Sequence, residues 1–272
     1  MKKYRTAIIL FMVFEAIAVG LWLASGSLFF LLNFSYIGCC IGIGGILSAA
    51  GKKYAREFVQ FGVGAYIFVF LGLICGENMQ IEGFWFYLLT GVLGAGTLHY
   101  AIAKIFGPLL FGRGWCGYAC WTAMILDLLP YKKPSGQRKR FGWVRYVMFA
   151  LSLAIVLLLL YFNKTDKVTL FYLFVAGNVL YYVAGIILAL ALRDNRAFCK
   201  YICPITVFLK PMSYYSVLRI KCDEDKCIHC GKCLEVCPMD VEVNKNARNR
   251  KNATECILCQ NCKKVCPVKA LE

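Results

Sequence analysis

Eight cysteines fall into two runs of one spacing, Cys227-x2-Cys230-x2-Cys233-x3-Cys237-Pro238 and Cys256-x2-Cys259-x2-Cys262-x3-Cys266-Pro267. Thiolates are soft ligands, suited to zinc and to iron–sulfur clusters. Zinc knuckles also use C-x2-C pairs, but they need only two cysteines each and leave the third cysteine and the proline of both runs without a role. The doubled run closed by proline is the spacing that holds two [4Fe-4S] clusters, the fourth cysteine of each run ligating the other run's cluster. The spacing therefore predicts one cluster on Cys227, Cys230, Cys233 and Cys266 and another on Cys256, Cys259, Cys262 and Cys237.

A second constellation lies upstream and is itself repeated. The pattern R-x-aromatic-C-x-Y-x-C occurs at Arg113, Trp115, Cys116, Tyr118 and Cys120, and again 83 residues later at Arg196, Phe198, Cys199, Tyr201 and Cys203. C-x3-C places two thiols one helical turn apart on one face. Two such pairs brought together supply four thiolates, enough for a further iron–sulfur cluster, a zinc ion or a redox dithiol pair. Buried structural cysteine is the alternative, but it leaves the shared arginine, aromatic residue and tyrosine unexplained. Arg113 and Arg196 would offset the negative charge of a thiolate site. Repeats of this kind in membrane proteins commonly meet at a pseudo-symmetric site.

The elements that position these residues are set by composition. The 272-residue chain is 60% hydrophobic and 17% charged, with a mean hydropathy of +0.62, far too apolar for a soluble domain of that length. A bilayer core is crossed by about 20 apolar residues, and stretches of that kind run over 6–23, 27–50, 58–75, 84–106, 142–162 and 168–192. Lys2, Lys3 and Arg5, then Lys52, Lys53 and Arg56, then Lys132, Lys133, Arg138, Lys139 and Arg140, then Arg193, Arg196 and Lys200 all fall in alternate loops. The positive-inside rule places those loops, both termini and both cysteine runs in the cytoplasm. The first stretch has the basic start of a signal peptide, but Glu15 interrupts it and no clean cleavage site follows, so a retained helix is expected. The net charge of +16 then reflects topology and anionic lipid rather than nucleic acid, since the charges are scattered among inner loops. Trp121 to Leu129 is too short to cross, and if it crossed, the basic run after it would lie outside. It should lie at the inner interface or re-enter there, as should the stretch after Cys203.

Doubled C-x3-C motifs at the ends of membrane helices, followed by a two-cluster domain, resemble the membrane-bound polyferredoxins of the NapH, NosR-like and CcoG-like type. The resemblance runs from about Phe84 to Glu272. It implies an electron-transfer protein of the bacterial cytoplasmic (inner) membrane, often working with quinol and with a redox partner subunit, in which the matched cysteines ligate iron–sulfur clusters. Trp121 stands where the family pattern has a proline after the first C-x3-C, whereas Pro204 follows the second.

The expected fold is an all-α polytopic membrane domain, residues 1–218, of about six transmembrane helices with two short interfacial or re-entrant helices. A small α+β ferredoxin-like domain follows, residues 219–272. The expected function is one-electron relay between 4Fe-4S clusters on the cytoplasmic side and a quinone/quinol pool or partner subunit. The other readings are an accessory or maturation factor that reduces a metal or cofactor for another enzyme, and a membrane redox sensor. His99 and Glu15, ionisable groups inside apolar stretches, are candidates for a quinol-linked proton site, with interhelical hydrogen bonding as the simpler role. No hydrolytic, flavin or nicotinamide motif is visible.

Overall fold

Long apolar runs without breakers have one way to satisfy their backbone away from water, and that is to become helices. The computed structural model describes residues 4–92, 95–134, 140–245 and 250–272. In chain order the helices are α1 (Arg5–Ser25), α2 (Leu28–Ala49), α3 (Ala55–Ala65, running on as a π-helix over Tyr66–Ile74), α4 (Ile81–Thr90), α5 (Ala95–His99, running on as a π-helix over Tyr100–Phe106), α6 (Gly107–Phe111), α7 (Gly114–Tyr118), α8 (Trp121–Leu126), α9 (Val144–Tyr161), α10 (Lys167–Leu192), α11 (Ala197–Tyr201), α12 (Thr206–Tyr214), α13 (Lys232–Glu235) and α14 (Asn261–Val265).

Among the described residues, five segments are long and apolar enough to cross a membrane: Arg5–Ser25, Leu28–Ala49, Ala55–Ile74, Phe141–Tyr161 and Lys167–Leu192. Their outward faces carry Ile8, Leu23, Ile74 and Leu180, all more than half exposed, an apolar surface of a kind that marks contact with lipid or a partner. The chain is built as a multi-pass membrane protein. α1 and α2 pack closely because α2 turns glycines toward α1: a Cβ at Gly38 would stand 2.9 Å from that of Phe14, and one at Gly45 2.6 Å from that of Ala7.

The sixth expected crossing, 84–106, is not one helix. α4 ends at Gly91, whose φ of +70° only glycine adopts without strain, and helix resumes at Ala95; the expected span includes residues 93 and 94, which lie outside the described residues. The two arms lie side by side, with Phe84 and Tyr100 stacked at 4.8 Å and Gly96 against the Tyr87 ring and the Asn78 carbonyl. Ten residues of α4 reach only about 15 Å, half a bilayer core. On the second arm, Pro108 has no N–H to give the carbonyl of Lys104, and the register widens so that Gly107 N–H bonds to Ile102.

α8 runs back along the first half of α3. A Cβ on Gly64 would lie 3.3 Å from Cα of Trp121, and at the far end of α8 Asp127 pairs with Arg56 at 2.9 Å. In the C-terminal domain the expected α+β character is reduced. Among the described residues it shows one isolated antiparallel bridge, Cys222 to Leu271, and no strand. Lys221 and Glu272 exchange two hydrogen bonds of 2.9 Å and Asp223 N–H reaches Ala270, after which the chain leaves for the first cysteine loop.

Candidate functional site

The two C-terminal runs fold into the same loop twice. Left-handed residues stand at matched places in each: His229 and Leu258, Gly231 and Gln260, Asp240 and Lys269. Turns of this kind aim backbone N–H groups into a concavity suited to an anionic group. The fourth cysteine of each run accepts such a bond, Val241 N–H donating to Cys237 Sγ and Ala270 N–H to Cys266 Sγ, both at 3.3 Å.

The thiols sort into two groups. Cys227, Cys230, Cys233 and Cys266 line one cavity, together with Cys222. Cys256, Cys259 and Cys237 are the electrostatic neighbours of Cys262. Burial pushes the Cys256 and Cys262 thiols up to about 12, so these groups ionise only when a metal takes the proton's place. Among the described residues no three Cys, His, Asp or Glu side chains are gathered tightly enough for a single ion; the thiols of the Cys227 group surround a cavity instead. Sulfur donors, N–H groups aimed at sulfur and a cavity between the runs fit an iron–sulfur cluster.

Upstream, α7 and α11 bring the two C-x3-C motifs together. Cys199, Cys116 and Cys120 are the electrostatic neighbours of Cys203, and Cys116 and Cys199 share one buried core with Cys262 and Cys222. The repeat arginines cross over. Arg196 donates to the Cys116 carbonyl at 2.9 Å and Arg113 to the Cys199 carbonyl at 3.3 Å. Both guanidiniums are buried, and each has a carboxylate, Arg113 pairing with Glu255 and Arg196 with Asp127. Burial alone would raise the Asp127 carboxyl, but Arg196 and Arg56 outweigh it and hold the group below the usual carboxylate range.

The second run docks directly on this site. Gly117 allows the approach, since a Cβ there would stand 2.4 Å from the Ile257 carbonyl, and Tyr118 Oη donates to the Leu258 carbonyl at 3.0 Å. Glu255, next to Cys256, binds Arg113, Arg145 at 3.2 Å and Lys210 at 3.1 Å. From the other copy, buried Lys200 pairs with Asp194 at 2.8 Å and with Asp240, three residues past Cys237, at 2.6 Å. Both membrane motifs thus touch the loops that carry Cys256, Cys259 and Cys237.

His99 lies against Trp115, ring centroids 5.0 Å apart, with Nε2 buried and without a hydrogen bond among the described residues. Glu15 accepts a hydrogen bond from Ser35 at 2.7 Å across the α1–α2 interface. Sequence reasoning missed Lys104, Glu255 and Cys222. Lys104 had a signal, a lysine inside an expected span. Cys222, five residues before Cys227, lies outside the ligand spacing. Glu255 had no local signal.

A family model described as a 4Fe-4S dicluster domain matches residues 219–268. A second, described as a 4Fe-4S binding domain, matches twice, over 96–139 and 177–221, once on each C-x3-C motif. The chain is a membrane-type, polyferredoxin-like 4Fe-4S protein. "Uncharacterized protein MJ0749" of Methanocaldococcus jannaschii is 28% identical over 182 residues, covering 64% of this chain and 70% of that protein. "Putative electron transport protein YccM" of Escherichia coli is 29% identical over 150 residues, 55% of this chain and 40% of its own. "Methylamine utilization ferredoxin-type protein MauN" of Methylobacillus flagellatus is 27% identical over 169 residues, 56% and 58% of the two chains. No solved structure matches this polyferredoxin-like chain.

Proposed function

We propose that the chain relays single electrons between two C-terminal [4Fe-4S] clusters and a third centre held by Cys116, Cys120, Cys199 and Cys203. The clusters, when bound, supply the one-electron chemistry. One is assigned to Cys227, Cys230, Cys233 and Cys266, the other to Cys256, Cys259, Cys262 and Cys237. The observation that carries the reading is the seating of the Cys256–Cys259 loop on the first C-x3-C motif through Gly117, Tyr118 and Arg113. This contact makes the Cys256 cluster proximal to the membrane centre and leaves the Cys227 cluster, with Cys230 exposed, to face a soluble partner.

The protein's own groups do the rest. Arg113 and Arg196 hold each other's cysteine turns and bring positive charge to an anionic centre, and the apolar core keeps water from the sulfurs. "Electron transport" and "ferredoxin-type" in the names of YccM and MauN agree with a relay. Exchange with a quinone/quinol pool is what the resemblance to quinol-linked polyferredoxins implies. The basic loops favour the cytoplasmic face of a bacterial inner membrane for the clusters and both termini.

The test is iron, acid-labile sulfide and low-temperature EPR on the full-length protein and on a variant with Cys116, Cys120, Cys199 and Cys203 all changed to serine. Loss of one distinct centre with the two others intact is expected. Identical iron content and spectra in both proteins would remove the third centre from the scheme.

A further inference from the structure

Lys104 is a lysine where the fold has no evident reason to put one. It sits on the π-helical arm that leads into α6, is 2% exposed, and rests its ammonium 4.8 Å from the centre of the Trp115 ring. Among the described residues no carboxylate pairs with it. The other buried cations do have acids, Glu255 for Arg113, Asp127 for Arg196, Asp194 and Asp240 for Lys200. A buried ammonium without a counter-ion is costly, and a ring face offsets only part of that cost. Its electrostatic neighbours are Cys120, Cys116, Cys203 and, as a repelling group, Arg113. Neutral thiols would leave the ammonium unbalanced. Four thiolates around an iron–sulfur core form a net anion, one unit more negative after each electron.

We propose that Lys104 is the counter-charge of the four-cysteine centre, a positioning residue that stabilises the reduced form and so sets the centre's potential. This rests on reading those four cysteines as an electron-carrying centre. The three cations are not equivalent in this role. Arg113 and Arg196 are paired with their own carboxylates, Arg196 also reaching Cys199 Sγ at 4.0 Å, which leaves Lys104 as the one of the three with no carboxylate among the described residues to balance it. The widened π turn is what delivers it. With Pro108 unable to bond the Lys104 carbonyl, the helix bulges at this residue, and π-bulges recur at functional sites.

The experiment is a potentiometric EPR titration of the full-length protein in lipid nanodiscs, comparing wild type with Lys104→Met, Lys104→Gln and Lys104→Arg. Loss of the charge in Lys104→Met and Lys104→Gln should lower the equilibrium constant for reducing the membrane centre at least tenfold, about 59 mV more negative for a one-electron couple. The two C-terminal clusters should keep their midpoints, and Lys104→Arg should restore most of the shift. Failure of Met and Gln variants to assemble the centre, with Arg still assembling it, supports the same role. Unchanged midpoints in Met and Gln, or equal shifts or equal loss in all three variants, overturn it, because shape rather than charge would then be at work. Absence of any third centre in the wild type defeats the underlying reading of the cysteines instead, and shows before a variant is made.

Discussion

Arg196 binds the carbonyl of Cys116, and Arg113 binds the carbonyl of Cys199. Each repeat therefore fixes the turn that carries the other repeat's first cysteine, and neither C-x3-C motif is held by its own half alone. Four thiols brought from two helix ends need such a cross-brace, since helix ends fray and their last carbonyls lack partners.

Arg196→Gln should damage both halves. It leaves Asp127 with one of its two arginines and frees the Cys116 carbonyl. Removing one member of a buried pair costs about 3–5 kcal/mol, so thermal unfolding in detergent should start well below that of the wild type. Arg196→Lys keeps the charge but not the fork, and should fall between the two.

Asp127 should make this brace acid-sensitive. Its carboxyl is held below the usual range by Arg196 and Arg56 against the opposing effect of burial. A depressed folded-state value means the contribution is present above the unfolded value, about 3.9, and lost as pH falls through the folded one. The stability gap between wild type and Asp127→Asn, measured on the metal-free protein, should be constant from pH 6 upward and close below about pH 4. A gap independent of pH would mean Asp127 acts by packing alone.

Glu255→Gln removes an anion next to Cys256 and unbalances Arg113, Arg145 and Lys210. The midpoint potential of the Cys256 cluster should rise, because a nearby negative charge disfavours reduction. The Cys227 cluster, on the far side of the domain, should not move. Equal shifts of both would show that the domain itself has been distorted.

Metal loading should release protons and grow easier with pH. Burial holds the Cys256 and Cys262 thiols up at about 12, so at neutral pH each must lose a proton before it binds metal. Titration of the metal-free protein with ferrous iron and sulfide, followed by pH-stat, should give proton release that tracks cluster absorbance. Loading without proton release would contradict the buried-thiol picture.

Much of this was legible in the sequence because cysteine spacing is a local code. Two runs and a repeated R-x-aromatic-C-x-Y-x-C named twelve thiols, and both groups of family matches fall on them. The broken crossing was not legible: hydropathy averages over a window, and a left-handed Gly91 inside an apolar stretch leaves that average unchanged. Lys104 is lost in the same way, one charge in a long apolar run. Glu255 and Arg113 are 142 residues apart, and no periodicity links a distant ion pair. Cys222 became visible only when the pairing of residues 221–223 with the C-terminal end laid its side chain on the Cys227 cavity.

The packing of Trp121 against Gly64 fixes how deep the first C-x3-C motif lies. Gly64 is nine residues into a helix that starts at Ala55, or about 13 Å at the usual rise, and Trp121 follows Cys120 directly. Arg56, in the first turn of that helix, donates to the Gly117 carbonyl at 3.0 Å, so the motif reaches back to the mouth of α3, where the Cys256 loop seats on Gly117. An electron passing between the Cys256 loop and the membrane centre then crosses little of the transmembrane voltage, and in an energised membrane the poise between the two is set by their own potentials.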